Sequence, residues 1–210
     1  MLTLSRNSVV VASNNIGKWR EFSRLLSPLG IQAVSQADFG IETPEETGST
    51  FVENAIIKAR HCASLSGGVV LADDSGICVD ALKGAPGIYS ARYAGERRND
   101  RANNEKLLST LLNTPLAERG ATFVCVIVMM RSATDPQPAI CEGRWRGWID
   151  FEPHGFNGFG YDALFKVDGI NLTAAQLEAE LKDALSHRGQ ATRSLLKQLS
   201  KEDFGVTDPS

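Results

Sequence analysis

The order of apolar and polar positions along the chain predicts alternating strands and helices. Residues 8–12 form a short apolar run without alternation, which is typical of a strand buried on both faces. A polar segment follows, and apolar positions at helical spacing then predict a helix over residues 19–26. A broader apolar stripe predicts a helix over residues 51–65, which Thr50 would cap and Gly67 would end.

The second half of the chain continues this pattern. Asp100 is a suitable cap for a helix over residues 101–112. Residues 122–130 and 139–149 have the composition of two strands, and the Pro-rich turn at 135–138 would join them as an antiparallel pair. We therefore expect an α/β protein with a mixed sheet flanked by helices.

Two adjacent carboxylates interrupt the apolar runs 69–71 and 77–79. Asp73, Asp74 and the neighbouring Ser75 are expected where a buried strand ends. Ionised carboxylates near a core cost on the order of several kcal/mol unless a cation compensates them, and Mg²⁺ typically takes one or two carboxylates together with phosphates and waters. The pair therefore suggests a metal site for phosphate chemistry. A hairpin turn is the alternative, because Asp, Ser and Gly all favour turns.

A candidate anion site lies between the first strand and the first helix. Its sequence is Ser13-Asn14-Asn15-Ile16-Gly17-Lys18. Free backbone N–H groups at a helix start, together with a lysine and small polar side chains, can bind an anion. The segment is not a P-loop, because Ala12 and Trp19 stand where that motif needs Gly and Ser or Thr. An ordinary turn between strand and helix is the alternative.

Charges around the second helix have two interpretations. Lys58 and Arg60 lie off the apolar stripe, so the pattern favours an exposed surface for both. Glu45 and Glu46 precede the helix start, where they favour the helix dipole, and they are also candidates to complete the metal site of the acidic pair.

Three later segments have the composition of ligand-binding loops. Residues 84–95 are rich in glycine and aromatics, residues 154–162 alternate glycine with aromatic rings, and Ser186-His187-Arg188-Gly189 precedes the last helix. Glycine lets backbone approach a ligand, and an aromatic ring can stack on a base. The respective alternatives are a structural Ω-loop, a β-bulge and an exposed charged pair.

Composition limits the possible function classes. The chain of 210 residues is 42% apolar and 22% charged, so it can bury a full core. Its net charge of -3 argues against a non-specific nucleic-acid binder. The four cysteines are far apart and predict reduced core residues. The apolar run at 123–130 is too short for a bilayer and the N-terminus lacks a signal peptide, so we expect a cytoplasmic protein without a membrane partner.

Taken together, the motifs resemble the inosine/xanthosine triphosphate pyrophosphatase family, in order over nearly the whole chain. The segments that carry the resemblance are Ser13 to Lys18 with Glu21, Glu45-Glu46-Thr47-Gly48-Ser49-Thr50-Phe51 with Glu53-Asn54-Ala55, Ala72-Asp73-Asp74-Ser75-Gly76, Pro86-Gly87-Ile88-Tyr89-Ser90-Ala91-Arg92-Tyr93, Gly158-Phe159-Gly160-Tyr161-Asp162 and Ser186-His187-Arg188-Gly189. The chain departs from the family at Ala163, where Pro is usual, and at His154 and Phe156-Asn157, which replace smaller residues.

This resemblance implies a fold of two lobes with an active-site cleft between them. Residues 1–210 would form a single catalytic domain with loose termini at 1–7 and 201–210, and the protein would be a homodimer. The implied activity is Mg²⁺-dependent hydrolysis of deaminated purine nucleotides (ITP, dITP and XTP) to the monophosphate and pyrophosphate, which cleanses the nucleotide pool.

The resemblance also assigns roles to residues. Asp74 would be the general base and a metal ligand, with Glu45 as the second ligand. The substrate-binding residues would be Ser13, Asn14, Asn15, Ile16, Gly17, Lys18, Ser75, Phe159, Gly160, Tyr161, Asp162, Lys182, His187 and Arg188. Periodicity gives no separate reason for Lys182 and predicts an exposed helix residue there.

Selection of the base is expected at the 6-keto group, which hypoxanthine and xanthine carry and adenine lacks. His187 and Arg188 are the candidate donors and Phe159 the stacking surface, while the loop at 155–161 would exclude the 2-amino group of guanine.

Two other classes share the acidic pair and the anion loop. One is a regulatory protein that binds a nucleotide without cleaving it, and the other is a Mg²⁺ phosphohydrolase that releases orthophosphate. The presence of both Glu45 and Asp74 argues against pure binding, because a binder does not need a desolvated base.

Overall fold

The computed structural model describes residues 7–95 and 99–198, in which helices and strands alternate along the chain. Their order is β1 (Ser8–Val11), α1 (Ile16–Leu26), β2 (Gln32–Ser35), α2 (Phe51–Ser66), β3 (Val70–Val79), α3 (Asp100–Thr110), β4 (Gly120–Met130), β5 (Ala139–Ile149), β6 (Phe165–Val167), α4 (Ala179–Leu185) and α5 (His187–Gln198). Apart from residue 7, the termini that were expected to be loose lie outside the described residues.

The six strands form one sheet in the order β2-β1-β3-β4-β5-β6. Strand β1 runs parallel to β2 and β3, whereas β5 runs antiparallel to β6. The prediction of an α/β fold with a mixed sheet flanked by helices is therefore confirmed.

Strand β3 differs from the sequence prediction at the acidic pair. It continues without a break through Asp73 and Asp74 to Val79, so both the expected strand end and the alternative hairpin were wrong. Local preference for a turn is overridden because each carboxylate meets a buried cation, as described below, and sheet pairing can then continue across polar residues.

Three helix starts also differ from the prediction. Helix α5 begins at His187, so three of the four residues at 186–189, which were expected to precede it, lie within it. Helix α1 begins at Ile16, three residues earlier than expected, because the Asn15 side chain caps it. Helix α3 is capped by Asn99, whose side chain accepts a hydrogen bond from the Ala102 N–H over 3.1 Å. Asp100 is therefore the first helical residue and not the cap.

The sequence pattern missed the two strands at the ends of the sheet. Strand β2 has four residues and β6 has three, which is too short to show a period of two. Their place in the sheet comes from pairing with β1 and β5 rather than from their own composition.

Backbone contacts divide the chain into two compact units. Unit 1 consists of Met1–Asp74, Cys125–Gly143 and Arg188–Ser210. Its apolar residues form two clusters, and the alternation of side chains along a strand assigns successive residues to each. One cluster joins Val9, Val11 and Leu71 to α1 and α5, and the other joins Val10, Ala12, Val70 and Ala72 to α2.

Unit 2 consists of Ser75–Val124 and Arg144–His187. Its core contains an aromatic group in which the Phe123 ring lies 4.6 Å from Phe165 and 6.5 Å from Trp145, measured between centroids. The Arg119 side chain is buried and donates hydrogen bonds to three backbone carbonyls, those of Leu111, Ile149 and Asp150. These bonds fix the end of α3 against the end of β5.

The four cysteines form no disulfide. Cys62, Cys125 and Cys141 are buried as expected, whereas Cys78 is only half-buried. In the described part of the chain, none of the helices has both the length and the apolar character needed to cross a membrane.

Candidate active site

The acidic pair of β3 lies in the middle of a buried strand, with its two carboxylates on different sides. Asp73 is 1% exposed and Asp74 is 5% exposed. Because side chains alternate along a strand, Asp73 shares a side with Leu71 and faces α1 and α5, whereas Asp74 shares a side with Ala72 and faces α2. Each carboxylate therefore has its own set of partners within unit 1.

Asp73 is held by two cations. Its Oδ2 atom lies 2.9 Å from Lys18 Nζ and 2.9 Å from Arg188 Nη2. Arg188 Nη1 donates to the Glu21 carboxylate, so two acids and two bases form a cluster without net charge, in which Lys18 alone is partly exposed. Burial raises the pKa of Asp73, but the charges of Lys18 and Arg188 outweigh it and hold that pKa well below its usual range.

The same cluster shifts the pKa values of its two cations in opposite directions. Burial lowers the pKa of Lys18 more than Asp73 raises it, whereas Asp73 and Glu21 outweigh burial and raise the pKa of Arg188. Removing one member would leave an opposite charge buried without its partner, which is far more costly than losing an exposed ion pair.

Asp74 meets a different cation, Lys58 of α2. Lys58 Nζ lies 2.7 Å from Asp74 Oδ1 and 2.8 Å from Glu46 Oε1. Burial raises the pKa of Asp74 in spite of the opposing charge of Lys58. Burial lowers the pKa of Lys58, but Asp74 and Glu46 outweigh it and raise that pKa. The result is a desolvated carboxylate beside a lysine that stays charged.

The loop before α2 is fixed close to this carboxylate. Gly48 donates its N–H to Asn54 Oδ1 over 2.8 Å, and a Cβ at Gly48 would come within 2.6 Å of Glu53 Cβ. Glycine is required there because the loop backbone contacts α2 directly. Lys58 connects Glu46 to Asp74, whereas the neighbouring Glu45 side chain is exposed.

Two residues around Asp74 were not predicted as site residues from the sequence. Lys58 was interpreted as solvated surface, but it is buried. Asn54, one turn earlier on α2, approaches Asp74 Oδ2 with its amide at 3.5 Å. The signal was available, because Asn54 and Lys58 are four residues apart and each immediately precedes an alanine of the apolar stripe.

The predicted anion loop is ordered by its own side chains. Asn15 Oδ1 accepts hydrogen bonds from the N–H groups of Gly17 (2.9 Å) and Lys18 (3.2 Å), and Ser13 Oγ accepts from the Asn15 N–H (3.1 Å). Asn14 Oδ1 accepts from the Gln36 side chain over 2.9 Å.

These contacts change one expectation about the loop. The N–H groups of Gly17 and Lys18 were expected to be free, but Asn15 caps them. The Lys18 ammonium is directed to Asp73, and Ile16 is 60% exposed.

In unit 2, an ion pair lies under the predicted base-binding loop. Lys182 Nζ is 2.7 Å from Asp162 Oδ2, and the same oxygen accepts the Phe159 N–H over 2.8 Å. Lys182 Nζ also lies 5.2 Å from the centroid of the Phe159 ring. Lys182 is only 5% exposed, so the expectation of an exposed helix residue was wrong. The tight turn needs Gly158, where a Cβ would come within 2.1 Å of Asp162 Oδ2.

The other predicted residues of unit 2 are also held in place. The Tyr161 hydroxyl donates to the Ser90 carbonyl over 2.8 Å, and Ser75 is half-buried on β3. His187 is buried and stacks on Phe123, with centroids 4.7 Å apart and an angle of 7° between the rings. The alternative of an exposed His-Arg pair was therefore wrong, because both side chains are buried.

The donor set around Asp74 fits a hard divalent cation. Within residues 7–95 and 99–198, no cluster contains three or more His, Cys, Asp or Glu side chains able to hold a metal ion. Mg²⁺ does not need such a cluster, since one or two carboxylates with phosphates and waters suffice. Asp74 Oδ2 meets the Asn54 amide only at the limit of hydrogen-bonding distance, so this oxygen can serve as a ligand.

Comparison with known proteins gives a family and close relatives. A model of the Ham1 family matches residues 9–198. A dITP/XTP pyrophosphatase from Vibrio parahaemolyticus is 53% identical over 194 residues, which are 92% of this chain and 97% of that protein. A dITP/XTP pyrophosphatase from Escherichia coli (strain K12) is 52% identical over 191 residues, or 91% of this chain and 97% of that protein.

Solved structures show the same fold. A HAM1 protein from Coxiella burnetii has a TM-score of 0.82 at 47% identity and covers 91% of this chain and 99% of its own. The Ham1 protein of Staphylococcus aureus has a TM-score of 0.80 at 43% identity, with coverage of 93% and 99%.

Proposed function

The chain belongs to the Ham1 family, and from this premise we propose that it hydrolyses ITP, dITP and XTP, with Mg²⁺, to the nucleoside monophosphate and pyrophosphate. Relatives that share about half of its residues over nearly its whole length are named dITP/XTP pyrophosphatase. The protein is accordingly an enzyme, a nucleoside triphosphate pyrophosphohydrolase. Its deaminated substrates and its removal of them from the nucleotide pool are the proposal.

The observation that carries the proposal is the pairing of Asp74 with Lys58. A carboxylate that burial makes more basic is suited to take a proton from water. Lys58 Nζ fixes Asp74 Oδ1 at 2.7 Å. Among the described residues, the other oxygen, Oδ2, has only the long contact with the Asn54 amide. Asp74 is therefore assigned as the general base.

Asp74 and Glu45 would hold the Mg²⁺ ion. When bound, the ion would offset negative charge on the phosphates and on the departing pyrophosphate. Glu46 binds Lys58, and it is the family resemblance that gives Glu45, whose side chain is exposed, as the second ligand.

The phosphates are assigned to the anion loop. Ser13, Asn14 and Asn15 offer side-chain polar groups, Ile16 and Gly17 offer backbone, and Lys18 supplies the positive charge. Lys18 Nζ also lies 2.9 Å from Asp73 Oδ2, so its charge would be shared between that carboxylate and a phosphate.

Recognition of the base is assigned to unit 2. Phe159 presents an aromatic ring for stacking, and Lys182 and His187 supply polar groups, with Ser75, Gly160, Tyr161 and Asp162 as further contacts. The Arg188 guanidinium is bound to Asp73 and Glu21, so we assign it to support of Asp73 and not to direct reading of the base.

Three coarser properties belong to the same proposal. We propose a homodimer and a single catalytic domain from the family resemblance, and a cytoplasmic location from the four cysteines without a disulfide. Light scattering of the purified full chain tests the dimer, and a monomeric mass at assay concentration would contradict it.

A panel of nucleoside triphosphates tests the reaction. ITP, dITP, XTP, ATP and GTP are incubated with Mg²⁺, and pyrophosphate and orthophosphate are measured separately. We expect pyrophosphate from the first three and little product from ATP and GTP. In ¹⁸O-labelled water the label should enter the monophosphate, because Asp74 would direct water at the α-phosphorus. Release of orthophosphate and a nucleoside diphosphate would overturn the proposal.

A further inference from the structure

We propose that Asp100 and Asn104 of α3 are positioning residues that clamp Gly160 and thereby set the geometry of the base-reading loop. This inference rests on the proposed function, because it concerns the loop that contains Phe159 and Tyr161. All of these residues belong to unit 2. Neither Asp100 nor Asn104 touches substrate in this proposal, so neither is a catalytic residue.

The clamp engages both backbone polar groups of one residue. Asp100 Oδ2 accepts the Gly160 N–H over 2.6 Å, and Asn104 Nδ2 donates to the Gly160 carbonyl over 3.0 Å. Residues four apart on a helix lie on the same face, so α3 offers an acceptor and a donor together. The backbone of Gly160 has a φ of 63°, a left-handed conformation that the local chain does not favour for most residues.

Capping of helix α3 does not explain the contact that the Asp100 carboxylate makes. The cap of α3 is Asn99, which already accepts the Ala102 N–H. The Asp100 carboxylate instead binds a residue 60 positions further along the chain. A short hydrogen bond to a charged acceptor is among the stronger kinds in proteins.

Asn104 has one buried polar atom without a hydrogen-bond partner in the described part of the chain, which packing alone does not explain. Its Oδ1 atom is buried and has no hydrogen-bond partner within the described residues. A buried carbonyl without a partner is costly, and an apolar residue of similar size would avoid that cost. The hydrogen bond from Asn104 Nδ2 to the Gly160 carbonyl is the contact that an apolar residue could not make.

The clamp completes the fixation of the loop. Asp162 holds the N–H of Phe159 on one side of Gly160, and the Tyr161 hydroxyl is bound to Ser90 on the other. Gly160 lies between these two anchored residues. Release of its backbone would let the Phe159 ring leave the orientation required for stacking on a purine.

Substitutions at two residues of the full-length enzyme separate positioning from stability. Asp100→Ala should raise the KM for ITP about tenfold with kcat within about twofold, since a hydrogen bond to a charged group is lost away from the reacting atoms. Asn104→Leu should raise KM similarly while the Tm stays unchanged or rises, because the unpaired oxygen is removed. Asp100→Asn keeps an acceptor at this position and should restore most of the affinity.

Asn99→Ala is the matched control. It weakens the start of α3 by removing the cap but leaves both contacts to Gly160, so the KM for ITP should stay near that of the parent enzyme. Exchange of the Gly160 amide hydrogen gives a second readout without substrate. We expect it to become at least about tenfold faster in Asp100→Ala and to remain slow in Asn99→Ala.

The outcomes distinguish the clamp from the proposed function. If the unmodified enzyme fails to release pyrophosphate from ITP, dITP and XTP, the proposed function falls and with it the base-reading role of the clamp. If the unmodified enzyme is active but Asp100→Ala changes neither the KM for ITP nor the exchange of the Gly160 amide, only the clamp proposal is contradicted. A rise in KM in Asn99→Ala as large as in Asp100→Ala would also overturn it, since fraying of α3 would then explain both.

Discussion

Asp73 and Asp74 are neighbours in sequence, yet their carboxylates bind different cations on opposite sides of β3. Asp73 Oδ2 lies 2.9 Å from Lys18 Nζ and 2.9 Å from Arg188 Nη2, whereas Asp74 Oδ1 lies 2.7 Å from Lys58 Nζ. The pair is therefore not a shared ligand set. One carboxylate is a member of a neutral cluster, and the other is the candidate base.

This division predicts different consequences for two conservative substitutions. Asp74→Asn should lower kcat by about two to four orders of magnitude, because it removes the base, and should leave the fold and nucleotide binding intact. Asp73→Asn should mainly destabilise the protein, because Lys18 and Arg188 would lose the negative charge that they share. Single-turnover kinetics and thermal unfolding measured on both variants check the division. Equal loss of turnover and of Tm in the two variants would contradict it.

Lys58 should matter for turnover, although the sequence pattern predicted an exposed side chain. Lys58→Met keeps most of the aliphatic length but leaves Asp74 and Glu46 without their common cation. We expect kcat to fall about ten- to a hundredfold, since the orientation of Asp74 is lost. Steady-state kinetics on ITP measure the effect.

Arg60→Met is the matched control for this prediction. Arg60 lies two residues further along α2 and is exposed, so the change removes a positive charge from the same helix without disturbing Asp74. Its kcat should remain within about twofold of the parent value. A similar loss in both variants would mean that net charge, and not the Asp74 contact, is responsible.

Much of the architecture follows from periodicity, since the unbroken apolar run of β1 and the apolar stripe of α2 correctly indicate a buried strand and a helix packed against it. The continuity of β3 does not follow, because Asp73 and Asp74 have low strand propensity and are stabilised by cations from distant parts of the chain. The cations that compensate the two carboxylates are brought close only by the tertiary fold, so the local sequence does not indicate them.

The candidate site was predictable to a similar extent. The family resemblance predicted Asp74, Lys18 and Lys182 as site residues, but it did not indicate that Lys182 is buried against Asp162. Lys58 was missed because a lysine beside an apolar stripe is usually solvated, and only the position of Asp74 shows what it binds.

The acid sensitivity of folding should depend on Asp73. Its pKa is lowered in the folded protein by Lys18 and Arg188 in spite of burial, while in the unfolded chain it should be near 3.9. The folded state thus gains stability that is complete above about pH 4 to 5 and is lost progressively as pH falls toward the folded pKa.

Denaturant unfolding between pH 3 and 6 measures this contribution. In Asp73→Asn the free energy of unfolding should fall less steeply with decreasing pH than in the parent protein. Asp80→Asn is the control, because the Asp80–Arg146 pair is exposed and should contribute little. An unchanged slope in Asp73→Asn would show that other carboxylates control acid unfolding.

Removal of the metal should distinguish Glu45 from Glu46. Chelator should abolish hydrolysis and added Mg²⁺ should restore it. Glu45→Gln should raise the Mg²⁺ concentration for half-maximal activity at least about tenfold, because a carboxylate ligand is lost. Glu46→Gln should have a smaller effect on that concentration, since Glu46 binds Lys58. The Tm increase on adding Mg²⁺ gives an independent readout, and equal behaviour of the two variants would contradict the assignment.

Arg188 provides the last prediction, which concerns the difference between reading a base and supporting the site. Arg188 is 1% exposed, and its guanidinium is bound to Asp73 and Glu21. Arg188→Lys retains the charge but loses the forked geometry that serves two carboxylates at once.

We therefore expect kcat/KM to fall by the same factor for ITP and for ATP, so that the ratio between them is preserved, and the Tm to drop on the order of 10 °C as a buried pair is broken. Kinetics on both substrates and thermal unfolding of the same preparation decide the matter. A collapse of the ITP to ATP ratio with an unchanged Tm would instead assign Arg188 to the base, as a direct donor to the 6-keto oxygen.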